Sequence, residues 1–373
     1  MRIALVARRF DPAGGGTERD LLVTADYLHA AGHDVTVYAS DTRGDSPGVR
    51  VRRVGTFRLT RSLDLIRFAY AAPAAARRDG ADLVLSFARA IGADLLRSGG
   101  GAHRAYLRAV HRWRGRPRAV LMRLDPYHRA QLFVESAAFR APTLRLAIGV
   151  SDLVRRNLQR EFKLDPARTA TLYNGVDLDR FRPGADPGTR REIRRRFDIG
   201  PTAPLTVFVG NGFGRKGLAS IIRGWPHMPP DSSLLVVGND RRADSYRKLA
   251  ARLGVDTRIS FAGAQDHIER IFAAADVLAL PSFFEPFGNV ALEAMATGIP
   301  ALVSADCGAA EVMPPALRPY IVDNPSNPEE IAAKLTALLD HAADLGAQAR
   351  AAAEQFTWPR YATNLLAIIN SRI

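Results

Sequence analysis

Two carboxylates eight residues apart, Glu285 and Glu293, flank a Pro-Phe-Gly turn in the segment EPFGNVALEAMATGIPALVS (285–304). Pro286 and Gly288 disfavour a helix interior, whereas Asn289 to Ala296 is apolar and helix-favouring and stops at Gly298-Ile299-Pro300. The pattern predicts a helix from Gly288 or Asn289, with Glu285 in the loop before it and Glu293 on its second turn. Unpaired backbone N–H groups and a positive dipole end beside a carboxylate suit a phosphate next to a hydroxylated sugar. A second group lies in GNGFGRKGL (210–218), where glycines surround Arg215 and Lys216 directly after the apolar run LTVFV. Backbone donors at close approach and two cations are what a diphosphate requires, and the spacing is not that of a P-loop. No His/Cys cluster has metal spacing and no Asp-x-Asp stands in a convincing context, so neither a metal nor a cofactor is expected.

The elements that must hold these groups read as two β/α halves. MRIALVAR is a buried strand leading into Gly14-Gly15-Gly16, then a helix from about Glu18 to Ala31 stopped by Gly32. DVTVYAS (34–40), ADLVLSF (81–87) and LRLAIGVS (144–151) are further strands, the last expected to close the first half. After the Pro/Gly/Asp-rich FRPGADPG (181–188) the rhythm restarts with strands at 204–211, 233–240, 258–263, 276–282 and 300–306. Such alternation argues for two parallel sheets covered by helices, with ligands at the carboxyl ends of the strands.

Composition narrows the setting. The 373 residues suffice for two domains, and 47% hydrophobic with 24% charged content is globular. One cysteine, Cys307, fits a reducing compartment. Arg8 and Arg9 interrupt the first apolar run, so no signal peptide is expected, and no stretch is long enough for a membrane span. The expected location is cytoplasmic. The net charge of +14 sits in the first half: thirty Lys/Arg against sixteen Asp/Glu in residues 1–170, and twenty-two of each thereafter. That asymmetry implies an anionic partner.

Taken together, TLYNGVDLDRFRP (171–183), FGRKG (213–217), FAGAQDHIERIFAAADVLALPS (261–282) and the 285–304 segment resemble the retaining GT-B glycosyltransferases of family 4. Within that family the lipopolysaccharide core glucosyltransferases are the most similar branch. The resemblance implies two Rossmann-like domains facing each other across a donor/acceptor cleft. Residues 1–168, rejoined by a C-terminal helix at 357–373, would bind acceptor, and 169–356 would bind a nucleotide sugar. It further implies that Glu293 holds the donor ribose and that Glu285 contacts the transferred sugar. Phe287, Gly288, Asn289 and Val290 would present backbone N–H groups to sugar and phosphates. Arg215 and Lys216 would clamp the diphosphate with Arg180 helping, the loop from Gly263 to Asp266 would receive the base, and Gly15 and Gly16 would close over the donor. Asp177 would shape its loop. The implied reaction moves a hexose, glucose from UDP-glucose, to a glycolipid of the lipopolysaccharide core type. A GDP-mannose-dependent mannosyltransferase and a UDP-sugar 2-epimerase are the alternatives.

One departure from the family pattern concerns RSGGGAH (97–103), where an acidic residue is expected and Gly100 or Gly101 stands. His103 is a candidate for approaching acceptor or sugar; the alternative is a helix-start histidine. Glu18 and Asp20 either orient an acceptor hydroxyl or favour a helix N-terminus. Residues 97–129 carry nine arginines against one acid, Asp125. Arg104, Arg108, Arg112 and Arg116 form one stripe if helical, with Trp113 on another face, which is how an interfacial helix meets an anionic membrane. No nucleic-acid-binding module is recognisable, so the expected partners are a nucleotide sugar, a glycolipid and the inner face of the cytoplasmic membrane.

Overall fold

The computed structural model describes residues 1–12, 14–44, 46, 48–55, 60–184 and 187–371. Ala185 and Asp186 of the FRPGADPG stretch, Ala13 of the first glycine loop and the last two residues lie outside the described residues. The chain divides into two compact units. Unit 1 comprises Met1–His111, Gly115–Asn174 and the segment from Trp358; unit 2 comprises Arg112–Arg114 and Gly175–Thr357.

Unit 1 is built on seven strands: β1 Arg2–Phe10, β2 Asp34–Thr42, β3 Arg50–Arg53, β4 Leu83–Ser86, β5 Leu95–Ser98, β6 Leu146–Gly149 and β7 Thr169–Thr171. All pair in parallel in the order β3-β2-β1-β4-β5-β6-β7. Its helices are α1 Gly16–Ala30, α2 Arg61–Arg78, α3 His103–Ala109, α4 His111–Arg114, α5 Arg116–Leu124, α6 Pro126–Arg140 and α7 Asp152–Phe162, α4 running on into unit 2. The period-two alternation of β1 explains the layering. Ile3, Leu5 and Ala7, with Val35, Val37 and Ala39 of β2, pack beneath α1 and the C-terminal helix, whereas Ala4, Val6 and Tyr38 meet Phe68, Ala72 and Ala76 of α2.

Unit 2 holds α8 Pro187–Arg196, β8 Leu205–Val209, α9 Leu218–Gly224, β9 Ser233–Val237, α10 Ala243–Arg252, β10 Ile259–Gly263 and α11 Ile268–Ala274. It continues with β11 Val277–Leu280, α12 Asn289–Ala296, β12 Ala301–Val303, α13 Pro328–Asp340 and α14 Ala342–Ala353. The sheet is parallel, in the order β10-β9-β8-β11-β12. The last helix, α15 Trp358–Asn370, returns to unit 1 and packs on α1.

Three expectations need correcting. LRLAIGVS does not close the first half: β7 follows it and pairs with β6, so unit 1 runs on to Asn174 instead of ending at residue 168. Strands β3 and β5 also escaped the sequence pattern. The first, RVRR, lacks apolar alternation because it is the edge of the sheet and mostly exposed. The second, LLRS, is buried throughout but carries an arginine in its middle. Finally, the arginine-rich stretch is not one helix. It is broken after α3 and again at Gly115, whose φ of 79° ends α4, so no continuous cationic stripe forms.

Candidate active site

In unit 2 the sequence after β8 turns sharply. Gly210 (φ 139°) lies where a Cβ would fall 2.5 Å from Lys216 Cε, and Gly217 (φ 85°) where a Cβ would fall 2.2 Å from the Pro281 carbonyl. Only glycine fits either place, and the tight loop delivers two cations to one acceptor atom. Arg215 Nη1 donates to Glu285 Oε2 at 2.8 Å and Lys216 Nζ donates to the same oxygen at 2.9 Å. Arg215 also donates to the Phe284 carbonyl at 2.7 Å, while the Phe283 N–H donates to the Arg215 carbonyl at 2.8 Å. The two loops are thereby locked together across β8 and β11, where the strand order reverses.

The Glu285 side chain is 12% exposed and Lys216 is 8% exposed. Burial pushes the Glu285 carboxyl up, but Lys216 and Arg215 overcome it and hold the group down at about 2. Two cations on one carboxylate leave an excess positive charge. It lies beside the start of α12, whose N-cap Gly288 supplies no side-chain cap. Phe287 is buried, its carbonyl accepting from the Ala309 N–H at 2.7 Å and from Cys307 Sγ at 3.1 Å, which fixes the turn before the helix. Asn289 and Val290 open α12, and Glu293 stands half-buried on its second turn.

Arg180 goes elsewhere than the sequence suggested. Its guanidinium donates to Glu269 Oε2 at 2.9 Å and to the Asp266 carbonyl at 3.1 Å. It therefore braces the 263–266 loop instead of joining Arg215 and Lys216 on Glu285. Asp177 Oδ1 accepts from the backbone N–H groups of Asp179 and Arg180 at 3.1 and 2.9 Å, which aims Arg180 at that loop. The loop itself leaves β10 at Gly263, whose carbonyl accepts from the Gly238 N–H at 2.8 Å.

Unit 1 has a cavity at the carboxyl ends of its strands. The cavity, of about 310 Å³, is lined by the end of β1, the segments after β4 and β5, and the first turn of α1. Gly15 caps α1 in an extended conformation, Gly16 opens the helix and Glu18, half-buried, lines the cavity. Asp20 does not sit where it could orient an acceptor hydroxyl. It is 3% exposed, and its Oδ2 accepts from Arg97 Nη2 at 3.1 Å. Burial pushes its carboxyl up, against the pull of Arg97.

His103 opens α3 and is 9% exposed. Its backbone N–H donates to Glu135 Oε1 at 2.7 Å and its Nε2 lies 3.0 Å from His128 Nδ1, the rings stacked 5.1 Å apart. Burial first, then Arg89 and His128, push its pKa down to about 3, so the imidazole is neutral at ordinary pH. Arg97, Arg89 and Glu135 were missed as site residues. Arg97 had been counted in the cationic stretch; the available signal was its place inside the apolar strand LLRS.

The cationic stretch finds counter-charge. Arg104 lies 3.9 Å from Glu161 Oε2, and Arg108 pairs with Glu161 more closely. Arg112 pairs with Asp306 at 2.5 Å and Trp113 stands 5.8 Å from the Phe283 ring, both within unit 2. Arg116 is exposed. The exposed apolar side chains lie further on, at Val120, Leu121 and Leu124 of α5 and Phe133 of α6.

Two parallel-sheet units, each with a loop-lined site at its strand ends, define a GT-B architecture. A model of glycosyltransferase family 4 matches residues 14–180 and a model of glycosyl transferases group 1 matches residues 189–356. The chain is a glycosyltransferase carrying these two domains. It is 27% identical to the lipopolysaccharide glucosyltransferase WaaG of Escherichia coli (strain K12) over 336 residues, 89% of this chain and 87% of that one. A crystal structure of WaaG, a glycosyltransferase involved in lipopolysaccharide biosynthesis, superposes with a TM-score of 0.81 at 25% identity, covering 98% of this chain and 99% of that chain. The D-inositol 3-phosphate glycosyltransferase of Corynebacterium glutamicum (strain R) is 31% identical over 232 residues, 58% of this chain and 55% of that relative's length.

Proposed function

We propose that the protein is a retaining, metal-independent glycosyltransferase. It transfers glucose from UDP-glucose to a glycolipid acceptor of the lipopolysaccharide core type. The observation that carries this reading is the convergence of Arg215 and Lys216 on one oxygen of Glu285, beside the uncapped start of α12. In such a transfer the bond between sugar C1 and the diphosphate breaks and one to the acceptor oxygen forms on the same face. The acceptor proton passes to a departing phosphate oxygen. Negative charge grows on the diphosphate, where two fixed cations and a helix N-terminus are already oriented to receive it. Glu285 keeps both cations in place and contacts the sugar, Glu293 takes the ribose, and the loop braced by Arg180 takes the base. The likeness to WaaG supports glucose and a lipopolysaccharide acceptor.

The acceptor also sets the location. Among the described residues no helix is long and apolar enough to cross a membrane. The exposed Val120, Leu121 and Leu124 beside Arg116, Arg118 and Arg123 support peripheral binding to the anionic inner face of the cytoplasmic membrane. Thermal unfolding against UDP-glucose, GDP-mannose and ADP-glucose, with and without EDTA, tests the donor. The expected result is stabilisation by UDP-glucose that EDTA leaves unchanged. Stabilisation by GDP-mannose alone would replace the donor, and loss with EDTA would contradict the metal-free site.

A further inference from the structure

The glycine loop that carries Arg215 and Lys216 is held from outside as well as from within. Inside it, the Arg215 and Lys216 N–H groups both donate to the Gly212 carbonyl, at 3.0 and 3.3 Å. Outside it, three bonds tie the loop to the end of β9 and the residues Gly238-Asn239-Asp240, all within unit 2. The Gly210 N–H donates to the Val237 carbonyl at 2.9 Å. The Asn239 N–H donates to Asn211 Oδ1 at 2.8 Å, and the Phe213 N–H donates to Asp240 Oδ2 at 2.8 Å. The other Asp240 oxygen accepts from the Arg242 N–H at 2.8 Å, an Asx turn that fixes the carboxylate. The two backbones also touch, since a Cβ at Gly238 (φ 125°) would fall 2.4 Å from the Gly210 carbonyl oxygen. Phe213, 1% exposed, is wedged between Phe208 and Tyr246, with ring centroids 5.6 Å away on either side. On its far flank the same segment meets the other donor loop: the Gly238 N–H donates to the Gly263 carbonyl at 2.8 Å.

Resting on the donor site proposed above, we infer that residues 238–240 are a spacer that sets the distance between the base loop and the two cations, with Asp240 and Asn211 as positioning residues for the diphosphate. Each Asp240 oxygen accepts from a backbone N–H, so the carboxylate acts through Phe213, two residues before Arg215. A nucleotide that bridges two loops binds well only when they stand at its own length, and a misplacement of about 1 Å can cost about 10²-fold in rate. The sign of the effect separates this role from a direct charge effect. Removing an acid near the loop raises the local positive potential and would tighten a phosphate, whereas removing a support loosens it.

Titration calorimetry of the full chain with UDP, UMP and uridine reads the gain from each phosphate, with GDP and GMP run alongside. The unaltered protein should bind UDP more tightly than UMP. Asp240→Ala should cut that preference by about fivefold, the worth of one hydrogen bond. Its uridine affinity should hold, because the bond from Gly238 to Gly263 runs backbone to backbone. Asp240→Asn, with one acceptor oxygen in place of two, should fall between. Asn211→Ala, at an exposed position, should lower the preference in the same direction, and it decides the matter if Asp240→Ala does not fold. In a background of Arg215→Ala with Lys216→Met, Asp240→Ala should cause no further loss. A preference unchanged in both Asp240→Ala and Asn211→Ala, or UDP bound more tightly by Asp240→Ala, overturns the inference. Equal losses for UDP, UMP and uridine would show general damage to unit 2 and overturn it too. If the unaltered protein prefers neither UDP to UMP nor GDP to GMP, the donor site itself is contradicted and the inference falls with it.

Discussion

Both units place a loop rich in glycine at the carboxyl end of their first sheet strand, and both gather arginines there, yet the charges are balanced differently. In unit 2 two cations share one oxygen of Glu285, leaving positive charge beside a helix start. In unit 1 every lining arginine has its own carboxylate, and Arg97, paired with Asp20, also lies over the Phe87 and Tyr361 rings. The difference teaches where charge is to be met. On the proposed function, the surplus in unit 2 would meet a diphosphate, whereas the paired cations of unit 1 would face the acceptor.

The largest test of this contrast is at the surplus. Arg215→Ala and Lys216→Met should each lower kcat by about 10²–10³-fold, the loss typical of one electrostatic stabiliser. The Arg215 variant should keep its melting temperature, because that side chain is partly exposed. A kcat unchanged from that of the unaltered protein in both variants would break the contrast. Next in size is the paired side. Asp20→Asn strands the buried Arg97 and should cost about 3 kcal/mol of unfolding free energy. If Asp20 oriented the acceptor, the variant would instead lose kcat at unchanged stability.

His103 sharpens the comparison further. Its folded pKa of about 3 lies below the unfolded value of 6.5. The neutral form is therefore favoured by folding. Its contribution is fully present above pH 6.5 and is lost as pH falls towards 3. Stability of the unaltered protein should fall relative to His103→Phe through that window, by at most about 1.4 kcal/mol per pH unit. Parallel curves would mean that the histidine is not buried neutral. The smallest expected effect is at α5, where Arg123→Gln should weaken binding to anionic vesicles by about 1 kcal/mol, read by co-sedimentation.

Much of unit 2's site was legible because its chemistry is local. The turn at 285–288, the helix at 289 and the adjacent pair Arg215-Lys216 are written in short segments whose glycines and prolines allow few conformations. Their meeting across 69 and 70 residues was not, since pairing depends on which strands become neighbours. Unit 1 was less legible for the same reason: Arg97 finds Asp20 and Asn174 each 77 residues away, and the three elements concerned carry no shared pattern. The break at Gly115 needed a positive φ that the arginine spacing concealed. Arg180 was read by its neighbours in sequence, whereas Asp177 turns it towards Glu269, 89 residues on.

The central claim is that the donor binds through the surplus charge of unit 2. Hydrogen exchange of the full chain with and without UDP-glucose tests it directly. The strongest slowing is expected in residues 210–217, 263–266 and 285–293, with the slowing at 285–293 removed by Arg215→Ala. Protection confined to the cavity segments of unit 1, or unchanged in the Arg215 variant, would contradict it.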